Sequence, residues 1–120
     1  MPWELDGERP IYSQLLEKLQ LRVISGAYCP GARLPSVRDL AEEAAVNANT
    51  MQRALTELEQ AGLVRAHRTA GRFITDDPEK IAAAREAFAR RYLHSYLKGM
   101  GELGYTPKQA AEYLEKQGGE

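Results

Sequence analysis

The chain has 120 residues, 43% hydrophobic and 28% charged, a balance that belongs to soluble globular proteins and a length for one domain, or one small domain with an appendage, rather than two full domains. With 16 Lys and Arg against 17 Asp and Glu, net charge offers no support for a nucleic-acid partner; Cys29, the only cysteine, excludes an internal disulfide and argues against a zinc site. Apolar runs are far shorter than the roughly 18 to 20 residues that cross a bilayer, and the start, Met1-Pro2-Trp3-Glu4-Leu5-Asp6, lacks the pattern of a secretory leader, so the expectation is a cytoplasmic protein with no membrane partner, no metal and no cofactor.

From Ile11 to Ser25 the positions Ile11, Leu15, Leu19 and Val23, flanked by Leu16 and Ile24, recur at helical spacing, and Gly26 ends the helix. Residues 27–35 hold Pro30, Gly31 and Pro35, which favour an extended or turning connector. Ser36 and Asp39 form a capping box at the start of a short helix expected from about Val37 to Ala45. Residues 46–50, Val-Asn-Ala-Asn-Thr, interrupt it and supply caps for another helix that turns Met51, Leu55 and Leu58 inward and finishes at Ala61-Gly62. Leu63–His67 and Arg72–Thr75 have strand character, and Gly71 between them can take the positive φ of a hairpin tip.

Asp77 as N-cap and Pro78 at the first helical position open a long helix. Its Ile81, Ala84, Phe88, Tyr92, Tyr96, Met100 and Leu103 form a wide apolar and aromatic stripe over about six turns. Gly104-Tyr105 closes it. Thr106, Pro107 and Gln109 repeat the cap pattern for a final short helix carrying Ala110, Tyr113 and Leu114, before a loose end at Gly118-Gly119-Glu120.

Three helices, the last two joined by a tight turn, followed by a two-stranded hairpin, are the pattern of a winged helix-turn-helix that reads duplex DNA. The major groove accepts a helix whose leading residues are short and polar; here these are Asn47, Asn49, Thr50, Gln52 and Arg53. Asn and Gln pair bidentately with adenine and Arg with guanine, while Thr bonds phosphate or meets a thymine methyl. Asn47 and Thr50 are equally suited to capping, and Arg53 to an ion pair with Glu57. Arg38 lies on the first turn of the leading helix, where such modules cross the phosphate backbone; its alternative partner is Asp39. Residues 61–75 contain no acid while holding Arg65, His67, Arg68 and Arg72, so Arg68 at the hairpin tip and Arg72 on the returning strand are candidates for the minor groove or phosphates.

These residues carry a family resemblance. Pro10-Ile11-Tyr12-x-Gln14-Leu15, Ile24-x-Gly26, Pro30-Gly31-x-x-Leu34-Pro35-Ser36-x-Arg38-x-Leu40-Ala41, Val46-Asn47-x-x-Thr50-x-x-Arg53-Ala54, Leu58 and Gly62-Leu63-Val64 resemble the GntR family of bacterial transcriptional regulators over residues 10–75. The resemblance implies operator contacts for Arg38, Asn47, Thr50, Arg53 and Arg68. Thr69 departs from it, standing where the family's wing usually has the first glycine of Gly-x-Gly-x-Phe, which bears on how closely the backbone can approach the minor groove.

The expected architecture is therefore mainly α with a small β-hairpin: a winged helix-turn-helix over residues 1–75 and a two-helix dimerisation tail over 76–120. So short a tail resembles the YtrA-type subfamily, which implies dimerisation and a link to transporter operons. Phe88, Tyr92, Tyr96, Leu97 and Met100 offer too much apolar surface to remain wet, and a two-fold pair of readers suits a palindromic operator with half-sites about 34 Å apart. Packing onto the reader within one chain is the alternative. Tyr92, Tyr96 and Tyr105 are candidates to line a small-molecule effector cavity, or are ordinary interface residues. His67 and His94 lie on different segments and no catalytic motif is present, which argues against an enzyme. A winged-helix adaptor that binds protein instead of DNA would show an apolar outer face on the recognition helix and wing, and this one is polar.

Overall fold

The computed structural model describes residues 3–118; Gly119 and Glu120 of the expected loose end lie outside them. The element order is α1 (Ile11–Ser25), α2 (Val37–Ala44), α3 (Ala48–Gln60), β1 (Val64–His67), β2 (Gly71–Ile74), α4 (Pro78–Glu102) and α5 (Pro107–Gln117). The chain divides into two compact units, Met1–Ala84 and Arg85–Glu120, with the boundary inside α4.

The first unit is built on an apolar centre to which every one of its elements contributes. Leu15, Leu19 and Val23 of α1, Leu40, Ala41 and Ala44 of α2, and Met51, Leu55 and Leu58 of α3 are all buried, with Val64, Ile74 and Ile81 closing the cluster. Each fully buried leucine contributes about 1.5 to 3 kcal/mol of transfer free energy. The long arm of the unit is α1 packed across α3, which leaves the opposite face of α3 outside.

Local signals set the boundaries. Ser36 Oγ accepts the Asp39 N–H at 3.1 Å, satisfying one of the orphan donors of α2. The return bond expected of Asp39 is not among those of the described residues; its side chain is a methylene shorter than the Glu of a full box. Ala45, expected to be helical, is instead the left-handed C-cap at φ 60°, and the Val46 N–H reaches back to the Ala41 carbonyl at 3.0 Å, which turns the chain sharply into α3.

The N-terminal segment is tied down by polar contacts. Buried Gln14 accepts the Asp6 N–H and donates to the carbonyls of Asp6 and Arg9. Arg22 lies with its guanidinium 4.5 Å from the Trp3 ring and 5.5 Å from that of Tyr28, donates to the Tyr28 hydroxyl at 2.7 Å and pairs with Glu43 of α2 at 2.8 Å. The Trp3 indole N–H also donates to Glu43 at 2.7 Å; that bond first, and Arg22 after it, hold the Glu43 carboxyl below its ordinary range against the opposing effect of burial.

In the second unit, Thr106 and Gln109 form the full reciprocal capping box at the start of α5. Tyr96 Oη donates to the Ala110 carbonyl at 2.8 Å, Ala110 is buried, and the rings of Tyr105 and Tyr113 lie 5.9 Å apart.

Candidate nucleic-acid interface

Asn47 is the N-cap of α3: its Oδ1 accepts the Asn49 N–H at 2.7 Å, so the capping role is real and its oxygen is engaged. Asn49, Gln52 and Arg53 are exposed and Thr50 is half-buried, while Met51, Ala54, Leu55 and Leu58 are buried. The inward and outward faces of the helix therefore fall as its apolar spacing predicts. Gln52 is held along the helix, its Nε2 donating to Thr56 Oγ1 at 3.3 Å while that hydroxyl donates to the Gln52 carbonyl at 3.0 Å.

Arg53 does not make the ion pair with Glu57 weighed from sequence among the described residues. Its guanidinium carbon instead sits 3.6 Å from the centroid of the Tyr12 ring on α1. Arg38 is exposed on α2, and among the described residues no ion pair joins it to Asp39.

The wing pairs Val64 with Ile74, Arg65 with Phe73, Ala66 with Arg72 and His67 with Gly71. β1 begins one residue later than expected, at Val64, and β2 begins and ends one residue earlier, at Gly71 and Ile74. Arg68 and Thr69 are exposed at its tip. Among the described residues Ala45 is the only non-glycine with positive φ, so Thr69 sits in ordinary backbone and strains nothing. Gly71 does need its freedom, at φ 94°, and a Cβ there would meet Arg33 Nε at 3.2 Å.

The connector turns out to be part of the wing. Arg33 bridges Phe73, the Leu34 N–H donates to the Arg72 carbonyl and the Ile74 N–H to the Ala32 carbonyl, each at 2.8 Å. An open groove of about 600 Å3 runs between this edge and the start of α2, lined by Arg33, Ser36, Asp39 and Arg72 among others. Arg33 is exposed and extends the cationic surface; the basic-segment reading missed it because it lies far away in sequence, on what read as a plain linker.

Arg72 behaves differently from Arg68. Its side chain is 21% exposed, Nε lies 3.7 Å from a Glu59 carboxylate oxygen of α3, and Nε is sealed from solvent without a hydrogen-bond partner. Arg65 faces Asp76 at 3.8 Å. The acid-free run in sequence is thus met by acids from outside it, and the open cations of the surface are Arg33, Arg38, Arg53 and Arg68.

An outward polar helix beside a three-edged cationic hairpin defines a winged helix-turn-helix. Comparison with known proteins agrees. Residues 11–74 match the model of the bacterial regulatory proteins of the gntR family. Over 112 residues the chain is 34% identical to the HTH-type transcriptional regulator YhcF of Bacillus subtilis, covering 93% of each, and over 68 residues it is 37% identical to the HTH-type transcriptional repressor YtrA of the same organism, covering 57% of this chain and 52% of YtrA. A solved GntR family transcriptional regulator from Listeria monocytogenes superposes with a TM-score of 0.86 at 29% identity, covering 93% of this chain and 98% of that one. The chain belongs to the GntR family: it is a DNA-binding transcriptional regulator, not an enzyme. That membership decides between a DNA reader and a protein-binding adaptor in favour of the reader.

The sequence-predicted tail residues are placed less simply. Phe88 is buried, Tyr96, Leu97 and Met100 are half-buried, and of the five only Tyr92 is exposed. α5 engages the stripe through Tyr96 and Ala110. The open apolar side chains are instead Tyr92, Leu93, Leu103, Tyr113 and Leu114, with Tyr105 partly open. Among the described residues no group of acids, histidines and cysteines could hold a metal, and no helix is long and apolar enough to cross a membrane.

Proposed function

We propose that the protein is a cytoplasmic homodimeric repressor, acting on a transporter operon through a palindromic double-stranded operator. α3 lies in the major groove with Asn49, Thr50, Gln52 and Arg53 toward base edges, Asn47 caps it beside the backbone, and Arg38 holds phosphate from α2. Arg68 at the wing tip reaches the minor groove or its flanking phosphates. Arg72 contributes positive potential and orients the wing through Glu59. The observation that carries this reading is the face of α3 itself: Asn49, Gln52, Arg53 and Thr56 are exposed on a helix whose buried side is wholly apolar.

The reader covers residues 1–75 and the dimerisation tail 76–120. Repression is supported by kinship with the YtrA repressor, and dimerisation by the open Tyr92, Leu93, Leu103 and Leu114. A small-molecule effector, with the tyrosines of the tail as its candidate lining, would act by changing the separation or angle of the paired readers.

Binding to a panel of single-base-pair operator variants tests the assignment. Arg53→Ala is expected to lose about 1 to 3 kcal/mol of discrimination at one position, whereas Arg38→Ala weakens all sequences alike and lowers the salt slope by about 1. Equal loss on every variant for Arg53→Ala would remove it from base reading.

A further inference from the structure

We infer that Tyr12 is a positioning residue for base recognition: its ring is the platform on which Arg53 is held ready for the groove. The inference rests on the reading above, in which Arg53 meets a base. The two residues belong to different helices of the first unit, α1 and α3, and the guanidinium carbon stands 3.6 Å from the ring centroid, a separation at which the planar group lies flat on the ring. Stacking of this kind uses the face of the guanidinium and leaves its five N–H donors directed outward in the plane. The edge that pairs bidentately with guanine is therefore available while the face is occupied.

A free arginine on a helix surface must be ordered when it binds, and each long side chain so immobilised weakens association. Arg53 is exposed, Tyr12 is half-buried, and neither Glu57 nor another carboxylate holds Arg53 in an ion pair among the described residues. The ring orders the arginine without neutralising it. An acidic partner would do the opposite, competing with the DNA for the same donors.

The test uses the full chain and duplexes that the wild-type protein selects from a random pool, with a scrambled duplex as control. Tyr12→Leu is expected to lower affinity for the selected duplex about 2- to 10-fold, the effect of ordering one long side chain on binding, and to flatten preference at the base pair Arg53 reads. Affinity for the scrambled duplex and the salt slope stay as in the wild type. Tyr12→Phe keeps the ring and restores wild-type preference, and in an Arg53→Ala background Tyr12→Leu has no additional effect. In the free protein, the Arg53 side-chain protons show an upfield ring-current shift by NMR that Tyr12→Phe keeps. Its absence from the wild type overturns the inference even if Tyr12→Leu does not fold. If Arg53→Ala loses base preference while Tyr12→Leu keeps it, the positioning role fails and groove reading by Arg53 stands; if Arg53→Ala keeps its preference, both fail. A Tyr12→Leu loss that falls equally on the scrambled duplex, or persists undiminished without Arg53, marks a structural role and also overturns it.

Discussion

The two units solve the problem of apolar surface differently. In the first, the large apolar side chains are gathered into one centre and its exposed face offers Asn, Gln, Thr and Arg. Every large hydrophobic side chain found exposed among the described residues belongs to the second: Tyr92, Leu93, Leu103, Tyr105, Tyr113 and Leu114. One unit satisfies its own core and presents charge, while the other keeps unburied the surface that ordinarily drives association. On the proposed function, reading and pairing fall on separate units, so each can be broken without the other.

The contrast is broken most severely in the reader's centre. Leu55→Ala, at a side chain 1% exposed, should cost about 2 to 5 kcal/mol and lower the urea midpoint of the far-UV circular dichroism transition; a cost below about 1 kcal/mol would mean that α3 is not held as described. In the tail the effect should be on assembly. Tyr92→Glu with Leu93→Glu replaces side chains 56% and 55% exposed, so the fold should survive while sedimentation reports a monomer. Phe88 is unsuited to that experiment because it is already buried in the single chain. A dimer that persists would relocate the interface.

Smaller effects sharpen the comparison within the reader. Glu43 has its folded pKa depressed by Trp3 and Arg22, so the unfolded chain takes up its proton first as pH falls. The stabilisation is fully present above the ordinary carboxylate value of about 4.3 and is lost as pH falls through the folded pKa. Glu43→Gln should therefore flatten the acid limb of a stability-against-pH curve; an unchanged limb would mean that the network contributes nothing there. The smallest change is Ala45→Gly. Relief of a left-handed Ala at φ 60° against the greater freedom of an unfolded Gly should leave a net gain of up to roughly 1 kcal/mol, read from thermal unfolding, whereas a loss would indicate that the turn is held by more than its backbone.

Wherever a local chemical rule decides an element, the sequence was sufficient to place it. Pro78, Thr106 with Gln109, and Gly71 mark their boundaries within a residue because caps and turns involve side chains only a few positions apart. Inward and outward faces of α1 and α3 follow from periodicity for the same reason. What escaped was contact between distant segments: Tyr12 beneath Arg53, Glu59 beside Arg72, and Arg33 laid along the wing. Charge read along a line gives no sign that Arg65 faces Asp76 and Arg72 faces Glu59, because these acids come from outside the run. In the tail stripe, Phe88 is buried and Tyr96 engages α5, a contact between separate helices that periodicity along one helix does not reveal, while Tyr92 and Leu103 of the stripe stand open together with Leu93 and Leu114.

The central claim is that two readers, joined by their tails, lay α3 against base edges in successive turns of one duplex. A hydroxyl-radical footprint of the full chain on the DNA upstream of its own coding sequence addresses it directly. The account predicts two protected half-sites of inverted sequence with centres about one helical turn, roughly 34 Å, apart. A single protected half-site, or protection of one uninterrupted stretch without two-fold symmetry, would contradict it.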